Sequence, residues 1–219
     1  LMARSFVSAS SHKLQYAGAV LTAVPITFAV WFQVADLAAV RCLMSISDIG
    51  DIYHNWDMDV LTSGAVVAEP KDGVAASLAA TSTTIGANVW AHACAVYGSN
   101  TSRIAYLNGG GKVEETTSRI PDPALVERTS YGVLERSTAI FYHNGVLAEG
   151  AMWNVALTDA EVAILALGYS PMFVRPASLV MYHPLIGRYS PEIDRMGAAP
   201  MTVTGAVYAD HPRINMHAA

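Results

Sequence analysis

Charge is what this sequence has least of. Lys, Arg, Asp and Glu make up 14% of its 219 residues, against about 25% in ordinary soluble domains, and no run of like charges interrupts the chain. The formal net charge is −5, which argues against a nucleic-acid partner, since that needs a basic face for the phosphates. Cysteine is almost as scarce: Cys42 and Cys94 alone do not make a disulfide framework. Both sit in strand-like runs, where a free Cys packs as a small hydrophobe; whether they bridge is left open. The seven histidines are scattered, without the close pairs of a zinc site. No Gly-rich phosphate cradle precedes a helix, and no Ser sits in a nucleophile elbow. No metal, no cofactor and no nucleophilic triad is therefore expected.

Long apolar runs are also few, and the longest is misleading. Leu14 to Val34 carries no charge and is long enough to cross a bilayer as a helix. From Ile26, however, it alternates: Ile26, Phe28, Val30, Phe32 and Val34 on one face, Thr27, Ala29, Trp31 and Gln33 on the other. That is a strand covered on both faces, so no membrane span is expected. The residues after Met2-Ala3-Arg4 are too polar for a secretory signal. Mean hydropathy is nonetheless +0.32. Either a large Ala-rich core or surface hidden against other subunits accounts for it.

What fills the chain is short apolar segments between turn residues, the pattern of an all-β sandwich or barrel. Strands are expected at His12–Tyr16, Ile26–Ala35, Val40–Ile46, Trp56–Leu61, Val74–Leu78, Val89–Tyr97, Arg103–Leu107, Lys112–Thr116, Tyr131–Leu134, Gly145–Trp153, Val180–His183 and Met201–Tyr208. Asn108-Gly109-Gly110-Gly111 supplies positive-φ residues for a hairpin between two of them. One short helix is expected near Thr158–Leu167: Thr158 is the N-cap, Glu161 completes a capping box and Gly168 stops it. No linker or repeat divides residues 1–219, so a single domain is expected. The ends, Met2–Ser11 and Asp210–Ala219, lack regular pattern and read as extended arms ordered by a neighbour.

Two segments carry a family resemblance. Trp90-Ala91-His92-Ala93-Cys94-Ala95-Val96-Tyr97, followed by Arg103-Ile104-Ala105-Tyr106-Leu107-Asn108-Gly109, resembles a central hairpin of laminin-G-like and pentraxin-like domains. Gly145-Val146-Leu147-Ala148-Glu149-Gly150-Ala151-Met152-Trp153-Asn154, running on to Leu157-Thr158-Asp159-Ala160-Glu161, resembles that family's strand–Trp-Asn–short-helix signature. The resemblance implies a concanavalin A-like jelly roll, two antiparallel sheets with Trp153 plugging the gap between them and Trp90 at least partly buried. Such a signature speaks of architecture rather than chemistry.

Glycosidases also use this sandwich and need two carboxylates across a cleft. The nearest match to the fold's Glu-x-Asp-x-x-Glu strand is Glu192-Ile193-Asp194-Arg195-Met196-Gly197, which lacks the last carboxylate, so no catalytic residue is expected. The stretch Asp48-Ile49-Gly50-Asp51-Ile52-Tyr53-His54-Asn55-Trp56-Asp57-Met58-Asp59 concentrates acids and aromatics. Laminin-G relatives hold calcium with Asp and Asn oxygens at a sandwich rim, but these positions do not match those ligands residue by residue. Tyr53, His54 and Trp56 form a candidate sugar-stacking platform instead.

Two functions compete. A fold of outward-facing lectin modules, with neither a visible signal nor a disulfide framework, suits a structural or decoration protein of a bacteriophage particle. Such a protein is made in the host cytoplasm and placed on the virion surface, with other virion proteins or copies of itself as partners. The alternative is a carbohydrate-binding lectin module, calcium-assisted or not, with a glycan as partner.

Overall fold

The computed structural model describes residues 2–73 and 77–211. In chain order its strands are β1 (Met2–Phe6), β2 (Lys13–Tyr16), β3 (Ile26–Val34), β4 (Arg41–Ser47), β5 (His54–Val60), β6 (Val66–Asp72), β7 (Ala79–Ala80), β8 (Ala91–Ser99), β9 (Ser102–Leu107), β10 (Gly110–Glu115), β11 (Arg128–Tyr131), β12 (Gly145–Trp153), β13 (Leu179–His183), β14 (Thr202–Thr204) and β15 (Val207–Asp210). The helix α1 (Asp159–Ala166) lies between β12 and β13. One sheet runs β10-β9-β8-β3-β12-β1-β15, with β13 also paired to β12; the other runs β14-β2-β11-β4-β5-β6-β7. The strands are antiparallel to their neighbours, and the expected all-β, two-sheet jelly roll is what the chain forms.

Alternation fills the space between the sheets. Ile26, Phe28, Val30, Phe32 and Val34 of β3 and Ala91, Ala93, Ala95 and Tyr97 of β8 face Met44, Ile46, Trp56, Met58 and Val60 of the second sheet. The alanines of β8 let the large β3 side chains pack close. A second, smaller core lies on the outer face of the first sheet, where Ala29, Cys94, Val96, Ala151 and Trp153 meet Leu157, Val162 and Leu165 around α1. Thr158 caps that helix with both bonds of the capping box in place.

Trp153 is therefore fully buried, but beneath α1 and not between the sheets. The cause is a bulge. Ala148 pairs with Trp31 and Ala151 with Ala29, so Glu149 and Gly150 together oppose Val30 alone. Leu147 thus faces inward and Trp153 outward, where its indole Nε1 donates to the carbonyl of Val174 at 2.7 Å. Glu149 takes a left-handed φ of 54°, and a Cβ on Gly150 would collide with the ring of Tyr131.

Other boundaries shift for similar reasons. The N-terminal segment is no arm: β1 pairs with both β12 and β15. The expected Met201–Tyr208 strand divides at Gly205, φ 71°, giving β14 to one sheet and β15 to the other. Of Val74–Leu78, residues 74–76 lie outside the described residues; Ser77 and Leu78 are not in a strand, and β6 was not anticipated. Residues 212–219 of the expected C-terminal arm lie outside the described residues too. Cys42 and Cys94 are on different sheets, both buried and free. The run from Leu14 to Val34 holds β2 and β3, and no helix among the described residues is long and apolar enough to cross a membrane.

Candidate functional site

The proposed aromatic platform does not assemble. Strand β5 starts at His54, so alternation sends Trp56 inward with Met58 and Val60, where it is 2% exposed. A ring in the sandwich core cannot stack on a sugar. His54 is half-buried, its Nδ1 accepting the backbone N–H of Asp122 at 3.1 Å. Of the three, Tyr53 alone is exposed, with the Lys71 ammonium 5.3 Å from its ring centroid, a cation–π distance.

The same alternation places Asn55, Asp57 and Asp59 together on the outer face of β5, opposite Glu69 of β6. That face is covered. The segment after β11 crosses it: Ser45 Oγ donates to the Val133 carbonyl at 2.9 Å, Ser47 Oγ to that of Glu135, and Ser130 Oγ to the Glu135 carboxylate at 3.0 Å. Burial, then the neighbouring charges of Asp59 and Glu69, pushes the Asp57 carboxyl well above the usual carboxylate range. Asp59 and Glu69 are also raised, chiefly by burial.

These oxygens are engaged only in part. The Asn55 amide donates to Asp57, and the Arg136 guanidinium supplies positive charge to Asp59 and Glu69, while Asn55 Oδ1 and Asp59 Oδ1 are buried without a hydrogen-bond partner among the described residues. Asp48 and Asp51 accept the backbone N–H of Gly50 and Ile52 in their own turn. Among the described residues no group of three or more His, Cys, Asp or Glu side chains is placed to hold a metal ion. The arrangement does not fit the calcium that the resemblance implied.

The two carboxylates nearest to a hydrolase motif are structural. Glu192 Oε2 pairs with Arg4 Nε at 2.6 Å and its Oε1 accepts the Ile186 N–H at 3.2 Å; the pair is 1% and 2% exposed. Arg4 also donates to the carbonyls of Ala206 and Tyr189. Asp194 accepts the backbone N–H groups of Tyr182, Met196, Ala198 and Ala199 at 2.9–3.0 Å.

What these anchors build is a cleft. The segment after β13, pinned by Arg4–Glu192 and Asp194, opens a small hollow of about 170 Å³ lined by Pro184, Ile186, Tyr189, Glu192, Ile193 and Arg195. Tyr189 and Ile193 are each 51% exposed. Beside it lies the bulge residue Glu149, which accepts the Tyr182 hydroxyl and is raised by burial against the pull of Arg195. The sequence gives no periodic signal here. Its one clue is two Arg, a Tyr and an unpatterned turn gathered within Arg188–Arg195.

Comparison places this geometry in a known architecture. A family model described as the concanavalin A-like lectin/glucanases superfamily matches residues 8–163. A heptameric SAP-like pentraxin from Limulus polyphemus superposes with a TM-score of 0.69 at 15% identity, covering 98% of this chain and 97% of that one. The CBM40 module of the Ruminococcus gnavus IT-sialidase superposes with a TM-score of 0.60 at 13% identity, covering 76% of this chain and 98% of the module. The NanB sialidase of Streptococcus pneumoniae matches over 68% of this chain but 27% of its own length, with a TM-score of 0.54 at 16% identity. At such identities the likeness is one of fold. No curated protein matches the chain in sequence.

Proposed function

Because the chain belongs to the concanavalin A-like lectin/glucanases superfamily, we propose that it is a non-catalytic lectin-type module that binds a glycan in the cleft between Pro184 and Arg195. The observation that carries this reading is a cleft lined by the exposed Tyr189 together with Pro184, Ile186 and Ile193, with Glu192 and Arg195 also in its lining. Sugar rings present an apolar C–H face and a polar rim, and such a cleft offers both. The absence of catalysis is supported by Glu192 and Asp194, both held in structural bonds. Glycan-array screening followed by calorimetry tests the reading. Binding should weaken at least tenfold in Tyr189→Ala, whose fold does not rest on that exposed ring. No binding to any glycan class, or binding indifferent to Tyr189, refutes the assignment.

A second reading rests on a different observation. Ile164, Leu167, Met172 and Phe173, around the end of α1, are 38–66% exposed, on a chain with 14% charged residues. Apolar surface of this kind supports a repeated subunit, here a structural or decoration protein on the surface of a bacteriophage particle, made in the host cytoplasm. Sedimentation velocity and mass spectrometry of purified particles decide it. A monomer at high concentration that is absent from particles ends this reading and leaves the lectin untouched.

A further inference from the structure

The cleft has a charge left over. Two charged side chains line it, Glu192 and Arg195. The Glu192 charge is matched by Arg4 at 2.6 Å in a pair buried from solvent. Arg195 is exposed, and its guanidinium makes no ion pair or hydrogen bond among the described residues. Glu149 lies within electrostatic reach of it but beyond ion-pair distance, its carboxylate engaged by the Tyr182 hydroxyl. Asp194, next in sequence, spends its two oxygens on four backbone N–H groups. Arg188, on the same segment, is likewise exposed and unpaired among the described residues.

The position of Arg195 is fixed although its head group is free. Its backbone N–H donates to Tyr182 of β13 at 2.8 Å, and the Asp194 carboxylate ties down the turn on either side. A planar guanidinium presented from a fixed backbone beside an apolar wall and a tyrosine ring is built for a bidentate partner. Neutral saccharides offer it only uncharged hydroxyls; a carboxylate offers an anion in matching planar geometry.

We infer that the cleft selects a sugar acid, with the ligand carboxylate on Arg195 and the sugar's C–H face against Tyr189 and Ile193. This rests on the glycan reading above and names the class of glycan. The carboxylate can come from a sialic-type residue or from a uronic acid, since both present the same anion on a pyranose ring.

Calorimetric titration of the full chain with lactose, 3′-sialyllactose, glucose and glucuronic acid tests it. The variants are Arg195→Gln and Arg195→Lys, each checked for an unchanged melting temperature; neither touches the backbone bond to Tyr182. The wild type should bind at least one acidic sugar about tenfold or more tighter than its neutral counterpart, the worth of one charge-assisted bond. Arg195→Gln should erase that preference, and Arg195→Lys should keep part of it. Which acidic sugar responds identifies the source of the carboxylate. Equal affinity for acidic and neutral sugars, lost in Tyr189→Ala, overturns the sugar-acid assignment while the lectin reading stands. A preference that survives in Arg195→Gln overturns it as well. No binding to any sugar removes both.

Discussion

Arg4→Met should be among the most damaging single changes in the chain. The guanidinium is 2% exposed and reaches three acceptors: the Glu192 carboxylate at 2.6 Å, the Ala206 carbonyl at 2.9 Å and the Tyr189 carbonyl. Methionine fills much of the volume but leaves the Glu192 charge buried with only the Ile186 N–H against it. Breaking a buried pair from one side costs about 3–5 kcal/mol, whereas replacing both partners by apolar groups is often close to neutral. For a chain of this size each kcal/mol lowers the midpoint by roughly 2–4 °C, so a loss of roughly 6–20 °C is expected. Urea and thermal unfolding of the wild type, Arg4→Met, Glu192→Leu and the double variant form a cycle. The double variant should recover most of the loss. If Arg4→Met costs under about 1 kcal/mol, or the two changes simply add, the buried pair is not what pins the Pro184–Arg195 segment to β1.

Three further outcomes are expected. Burial holds His92 down to about 3 from its ordinary 6.5. The unfolded chain therefore takes up a proton that the folded one refuses, and stability falls as pH drops below about 6.5, by about 2 kcal/mol at pH 5 for this residue; His92→Phe should flatten that part of the melting-temperature profile. Asp57 has the opposite sign: its raised carboxyl favours the folded state at low pH and loses that contribution as pH rises through the folded value. Asp57→Asn should be as stable as the wild type or more so at pH 8 in urea, and a large loss there would contradict an uncompensated buried carboxyl. Trp153→Ala should cost about 3–5 kcal/mol by emptying the core under α1, and Trp153→Phe about 1–3 kcal/mol by orphaning the Val174 carbonyl; equal losses would mean that the hydrogen bond contributes nothing.

The residues explain what could and could not be read in advance. Strand β3 was legible because its inward face is written in five alternating large apolar residues, Ile26 to Val34, and α1 because Thr158 and Glu161 announce its start. Strand β6 was hidden by Pro70. The N–H and carbonyl of Val66 both face Thr81, so by alternation the Pro70 nitrogen faces the same way, past the end of the two-residue β7, where no N–H is needed. Strand β1 was hidden because Arg4, which reads as surface, is buried against a carboxylate 188 positions away. Strand β15 has mostly exposed side chains and owes its place to backbone pairing, which leaves no periodic trace. The platform of Tyr53, His54 and Trp56 failed on parity: side chains adjacent along a strand point to opposite faces. The cleft was invisible for the same reason as β1, since its walls are set by long-range anchors.

The Glu149–Gly150 bulge makes β12 a strand of two allegiances. Up to Leu147 its inward side chains answer to the sandwich; from Ala151 the outward ones answer to the layer under α1. Its far edge is divided at the same point, β1 holding Gly145–Leu147 and β13 holding Gly150–Trp153. A single-residue deletion between Ala148 and Ala151 would therefore act as a gearshift, turning Trp153 towards a space already filled by Phe28 and Met152 and presenting Met152 to α1. Sequence drift in the two halves is constrained by different neighbours, and the link between them is the backbone of one left-handed glutamate beside the cleft.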